Sequence, residues 1–161
     1  MTDTPLSARP HDHSRCVSHA LAEAEAICAR QGLRLTALRK RVLELVWASH
    51  KPLGAYDILG VLSEEDGRRA APPTVYRALD FLLENGLVHR IASLNAFVGC
   101  SHPEHAHQGQ FLICRSCHVA IELEQPAISQ AIVDGAAGVG FAVESQTVEV
   151  VGLCAGCKGK A

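Results

Sequence analysis

The chain has 161 residues, of which 48% are hydrophobic and only 4% aromatic, and a formal net charge of −2. That length suits one domain or two small ones with aliphatic cores, and no apolar run approaches the ~20 residues that a bilayer span needs. The balance excludes a globally basic protein, yet residues 1–90 carry 12 Lys/Arg and 11 Asp/Glu against 3 and 6 in residues 91–161, which permits a DNA-binding face in the first half.

The first 17 residues read as a disordered polar tail. They lack an apolar signal region, which predicts a cytoplasmic protein, and cytoplasmic thiols stay reduced. Helical periodicity starts at residue 18. Leu21, Ala24, Ile27 and Cys28 form one stripe of a helix that ends at Gly32. Thr36 is placed to cap a second helix with Leu38, Val42, Leu45 and Val46 on its buried face. A third helix follows Pro52 and fades at Gly67. A fourth opens on Pro72-Pro73, which suit a first helical turn, and stops at Gly86. Val75, Ala78, Leu79 and Leu82 should be its buried face. Two extended pieces, 87–92 and 95–100, then read as a hairpin around Ser93-Leu94-Asn95. Short helices followed by a two-stranded wing form the winged helix-turn-helix pattern, with residues 73–85 as recognition helix.

The texture changes after Gly99. Residues 99–118 hold Cys100, His102, His105, His107, Cys114, Cys117 and His118, and Glu104 adds a carboxylate. Residues 99–109 read as a hinge. Strands are expected at 110–114 and 119–124, a helix at 126–137 and a long strand at 141–154. The expected class is therefore α+β: tail 1–17, winged-helix DNA-binding domain 18–98, hinge 99–109, and a small α/β dimerisation domain 110–161, which at that size needs a metal or a partner.

Seven cysteines are an odd count, which fits metal binding better than a disulfide framework. Cys114-x-x-Cys117 and Cys154-x-x-Cys157 are two knuckles separated by 36 residues. Four thiolates make a tetrahedral S₄ site suited to zinc, with no open position for catalysis. Cys16 lies in the tail, and Cys28, on an apolar stripe, reads as a small buried hydrophobe. Cys100 then remains, with His89, the hinge histidines and Glu122. A Cys–His₂–Glu set would hold Zn²⁺ near neutrality and join three pieces of chain, so that filling it favours one domain orientation. Spacing leaves the choice among His102, His105 and His107 open.

Leu35-Thr36 with Arg39, AYDIL (55–59), PPTVYRALDFLLENGLVHR (72–90) and the two CxxC pairs resemble the ferric uptake regulator family, over roughly residues 18–157. The 72–90 segment and NAFVGC resemble its zinc-responsive branch. Iron-type members usually carry His-His-Asp-His before the first CxxC; here His102-Pro-Glu-His105-Ala-His107 stands instead. The resemblance implies a zinc-responsive repressor that binds operator DNA as a zinc-loaded homodimer and controls zinc-uptake genes. It assigns structural zinc to Cys114, Cys117, Cys154 and Cys157, and regulatory zinc to His89, Cys100, His107 and Glu122. It selects His107, seven residues before Cys114, and Glu122, five after Cys117. His102 and His105 stay candidates for a third, weaker zinc site. Tyr76 and Arg77 resemble the base-contacting pair, where Arg suits guanine and a Tyr ring a thymine methyl. Thr74, Tyr56 and Arg39 resemble positioning contacts to phosphate or groove edge, and Arg34 a minor-groove residue. Tyr56 as a core aromatic and Arg39 as a solvated helix charge are the plainer alternatives. Expected partners are a second copy and double-stranded DNA, with no membrane and no small organic substrate.

Three rivals stand beside this. A regulator of the same family could answer to iron, manganese, nickel or peroxide. A zinc hydrolase or deaminase would need an open metal position and a general base, but H-E-x-x-H is absent, and so is the deaminase combination of H-x-E with P-C-x-x-C. A non-catalytic adaptor would use the Cys₄ knuckle for protein contacts.

Overall fold

A computed structural model describes residues 12–67, 70–105 and 107–159. Helix α1 (His13–Gln31) is capped by the Asp12 side chain, which accepts from the Ser14 N–H, and ends on Gly32 at φ 67°. The expected tail therefore stops short: residues 12–17 belong to the cap and first turns of α1, because Asp12 supplies an N-cap that composition alone hid. Residues 1–11 of that tail lie outside the described residues. Helix α2 (Ala37–Trp47) starts at Thr36, whose hydroxyl accepts from the Arg39 N–H. Strand β1 (Leu53–Gly54), helix α3 (Ala55–Asp66) and helix α4 (Pro72–Glu84) follow, with the prolines in the first turn of α4.

Strands β2 (Val88–Ile91) and β3 (Ala96–Gly99) form the expected antiparallel hairpin. Its connection is a 3₁₀ turn over Ala92–Leu94, closed by Asn95 in the left-handed region at φ 48°. The wing has three strands, not two. β1 pairs with β3, giving the order β1-β3-β2. Two residues carry too little periodicity to announce a strand.

Helices α1 to α4 pack around one aliphatic core. Val75, Ala78, Leu79 and Leu82 are buried as expected, with Phe81 beside them, and they meet Ile27, Cys28, Val42, Leu43, Val46 and Ile58. The remaining face of α4 carries Thr74, Tyr76, Arg77 and Asp80, all exposed.

The second sheet has the order β5-β4-β6. Strand β4 (Gly109–Cys114) pairs antiparallel with β5 (Ala120–Glu122) and parallel with β6 (Thr147–Gly152). The crossover between β5 and β6 is helix α5 (Pro126–Gly138). Buried Gln110 holds the start of that helix: its amide donates to the Gln125 carbonyl and Ser129 hydroxyl, and its carbonyl accepts the Gln125 N–H. The strand expected over 141–154 shrinks to β6, because Gly140 at φ 73° turns the chain and the Phe141 N–H bonds back to Ala136. A final short helix, α6 (Ala155–Lys158), carries the last knuckle.

The two sheets touch. Ile91 and Val98 of the wing share a small core with Phe111, Ile113 and Ala120, and the Ala120 N–H donates to the His50 carbonyl at 3.0 Å. Gly99 lies at the same junction. A Cβ there would overlap the Trp47 ring, which packs against the helical core. We expect Gly99→Ala to cost about 1–3 kcal/mol by overpacking; thermal unfolding measures this, and an unchanged midpoint would mean that Trp47 swings clear.

Candidate metal centres and nucleic-acid interface

The first centre sits where β4 ends. Cys114, Cys117, Cys154 and Cys157 present four sulfurs within 4.8 Å of one another. Cys117 Sγ and Cys154 Sγ are 3.7 Å apart. Zinc–sulfur bonds of about 2.3 Å in a tetrahedron set edges of about 3.8 Å, so the spacing fits. Backbone N–H groups of Cys117, Cys154 and Ser116 point at Cys114 and pull its thiol down to about 5, which leaves a thiolate ready for a metal. The first turn is tight: His118 takes φ 63°, and its N–H returns to the Cys114 carbonyl. His118 is exposed and takes no place in this ligand group.

The second centre lies between the sheets. His89 comes from β2, Cys100 follows β3, His107 precedes β4, and Glu122 ends β5; their ligand atoms again lie within 4.8 Å of one another. The two imidazole Nε2 atoms are 3.2 Å apart and Cys100 Sγ is 3.5 Å from that of His107. Those are the edges of a tetrahedron with metal–nitrogen bonds of about 2.0 Å and a sulfur corner. Glu122 Oε1 stands 2.8 Å from His89 Nε2 and 2.7 Å from His107 Nε2.

Surrounding groups orient these ligands. His107 Nδ1 lies 2.6 Å from the His105 carbonyl. A carbonyl can only accept, so Nδ1 carries a proton, and in the neutral ring Nε2 would offer its lone pair to a metal. Glu122 Oε2 accepts the Ser101 N–H at 2.9 Å, leaving Oε1 for the centre. Burial alone would push the Glu122 carboxyl up, but His89, the Ser101 N–H and His107 reverse that and bring it down to about 2. Burial also works against charge on His107, yet the His105 carbonyl and Glu122 outweigh it and raise its pKa. Cys100 goes the other way: burial, then the Glu122 carboxylate, push its thiol up to about 12. A metal entering the first centre meets a thiolate; entering the second, it must displace a proton.

The other hinge groups stay apart. His102 Nδ1 is 3.8 Å from Glu124, Glu104 pairs with Arg30 at 2.9 Å, and His105 contributes its carbonyl. Among the described residues, only the two four-ligand groups gather three or more potential ligands.

On the helical side, Tyr56 is 76% exposed and Tyr76 40% exposed, so Tyr56 is not a core aromatic. Arg34 and Arg77 are exposed. Arg39 differs from a free helix charge. Its guanidinium lies 3.6 Å from the Phe81 ring centre and donates to the Arg34 carbonyl. It fixes the segment bearing Arg34 against α4.

The Ferric uptake regulator family profile matches residues 30–151. The chain belongs to the ferric uptake regulator family. The Zinc uptake regulation protein of Escherichia coli (strain K12) is 41% identical over 138 residues, 85% of this chain and 80% of that protein. A solved zinc uptake regulator complexed with zinc and DNA matches with TM-score 0.84 at 39% identity, covering 89% of this chain and 96% of the other. The crystal structure of holo XcZur gives 0.80 at 45% identity, covering 89% of this chain and 99% of that one; the apo form gives only 0.52 at the same identity, over 88% and 97%. This ferric uptake regulator family member is thus more similar in structure to the holo form than to the apo form. The family is one of regulators, not enzymes, and both four-ligand groups are closed sets without a spare position. Sequence reasoning missed the backbone partners of the second centre, the Ser101 N–H and the His105 carbonyl, because every residue offers those groups and only the fold aims them.

Proposed function

We propose that this protein is a zinc-responsive transcriptional repressor that binds operator DNA as a zinc-loaded homodimer and controls zinc-uptake genes in the cytoplasm. One observation carries it: His89, Cys100, His107 and Glu122 converge from the wing, the segment after it and the second sheet. The donor set of one thiolate, one carboxylate and two imidazoles suits Zn²⁺ and balances its charge. The sulfur corner and the relatives that are zinc regulators favour zinc over iron, manganese or nickel. Each subunit holds two zinc ions, one structural at the four cysteines and one regulatory between the sheets.

The regulatory ion acts by selection. It binds the arrangement in which wing and second sheet meet and so raises the population of that arrangement. Tyr76 and Arg77 then read base edges in the major groove, Thr74 and Tyr56 contact the backbone, and Arg34 reaches the minor groove, held by Arg39. The second copy binds at the far side of the small domain. There α5 has no buried residue, Ile132, Val133, Phe141 and Val150 are exposed, and β6 ends its sheet with an unpaired edge. No helix among the described residues is long and apolar enough to cross a membrane.

Fluorescence anisotropy on an AT-rich palindrome from upstream of a zinc-import gene, across buffered zinc with an iron(II) series beside it, tests this. A steep gain at very low free zinc is expected, with iron required in large excess. A gain with iron alone would overturn the zinc assignment. In the same assay Arg77→Ala should lose about 1–3 kcal/mol on the operator and relax sequence preference. Equal loss on random DNA would reduce Arg77 to a phosphate contact.

A further inference from the structure

Three residues form one row across the second sheet: Glu122 on β5 and Glu149 on β6 are both register partners of Phe111 on β4. Residues directly opposite one another project from the same face, and this face meets the wing. Phe111 lies in the core shared with Ile91 and Val98. Glu122 enters the second metal centre. Glu149 takes no part in either centre. Its Oε1 accepts the Ala92 N–H at 2.7 Å and its Oε2 accepts the Ser93 N–H at 3.2 Å.

Ala92 and Ser93 begin the 3₁₀ turn at the wing tip. The first N–H groups of such a turn have no partner within it, and a carboxylate that satisfies two of them forms charge-assisted bonds. Burial opposes charge on Glu149, but the bonds from Ser93 and Ala92 outweigh it and lower its pKa. The proposed metal ligand His89 lies on β2, three residues before Ala92 and about 10 Å along the extended chain. A metal at the base of the hairpin leaves rotation about that point. A second attachment at the tip removes it.

We propose that Glu149 is a positioning residue for operator recognition: by gripping the Ala92 and Ser93 amides it clasps the wing to the small sheet and stabilises the domain arrangement that regulatory zinc selects. This rests on the zinc-repressor reading above. Zinc and clasp then share the work of closing the protein. Without the clasp, more zinc is needed to reach the same closed population.

The test uses full-length zinc-loaded protein and its Glu149→Ala and Glu149→Gln variants. Operator binding across buffered zinc should show the midpoint of Glu149→Ala displaced to about tenfold higher free zinc, and Glu149→Gln, which keeps one acceptor oxygen, displaced less. Hydrogen exchange of the wing segment should speed up in Glu149→Ala, while zinc content at saturation, dimer mass and melting temperature stay as in wild type. Coincident midpoints with unchanged wing exchange would overturn the clasp. So would a displaced midpoint matched by a fall in melting temperature and zinc content, since Glu149 would then only support the fold. A wild-type protein without any zinc response would instead remove the repressor reading, and wing exchange would still report on the contact.

Discussion

Replacing Cys114 with serine is expected to strip the structural zinc and to lower the melting temperature by about 10 °C or more. Loss of a structural metal belongs to the few single changes that cost more than about 4 kcal/mol, and in a chain of this size each kcal/mol moves the midpoint by about 2–4 °C. The small domain has little to fall back on. Among the described residues from β4 onward only Gln110, Phe111, Ile113, Cys114 and Ala120 are buried, and α5, β6 and α6 contribute no buried residue. The four cysteines tie the end of β4 to the end of the chain across a gap that holds a strand, a helix and another strand. Without a metal that tie is open, and the exposed apolar residues Ile132, Val133 and Val150 lose their frame. Zinc content by mass spectrometry and unfolding by calorimetry measure this. A variant with wild-type zinc and wild-type melting would contradict the structural assignment.

Cys100→Ser is expected to keep the fold and the dimer but lose the dependence of operator binding on zinc. A 100-fold zinc effect corresponds to a coupling of about 2.7 kcal/mol, and the variant should forfeit nearly all of it. The reason is geometric. Cys100 is the sulfur corner of a site whose other corners come from β2, from the segment before β4 and from β5. A serine hydroxyl is a poor ligand for zinc beside two imidazoles and a carboxylate. Cys100 is buried but belongs to neither core cluster, so the change leaves that packing intact. Reciprocity offers a second check: in wild type, operator DNA must tighten zinc at this site by the factor with which zinc tightens DNA, and in Cys100→Ser that mutual effect should vanish. Retained zinc-dependent repression in the variant would remove Cys100 from the site.

Several elements were legible because their signals are local. Gly32, Thr36 and Pro72 mark helix ends through backbone preferences of single residues, and the stripe Val75, Ala78, Leu79, Leu82 marks a buried face through the 3.6-residue period. The knuckles are local too, since two cysteines three apart make a turn that presents both sulfurs. Where the sequence misled, context was the cause. Asp12 extended α1 into a segment whose composition reads as tail. The alternating pattern before β6 reads as strand, but Gly140 and the bond from Phe141 to Ala136 turn the chain first.

By itself, then, the sequence determined that four cysteines stand in two C-x-x-C knuckles, that helices precede a hairpin, and that Cys100 stands among several histidines. Each of these rests on residue type and spacing within one segment. The sequence left open which hinge histidine completes the second centre until a family resemblance chose one, and it held no trace of the row Glu122, Phe111, Glu149. Tertiary structure alone decided that row, the third wing strand and the pairing of Arg39 with Phe81. Such groups come from segments far apart in the chain, and only folding brings their atoms within the few ångströms over which coordination, hydrogen bonding and stacking act.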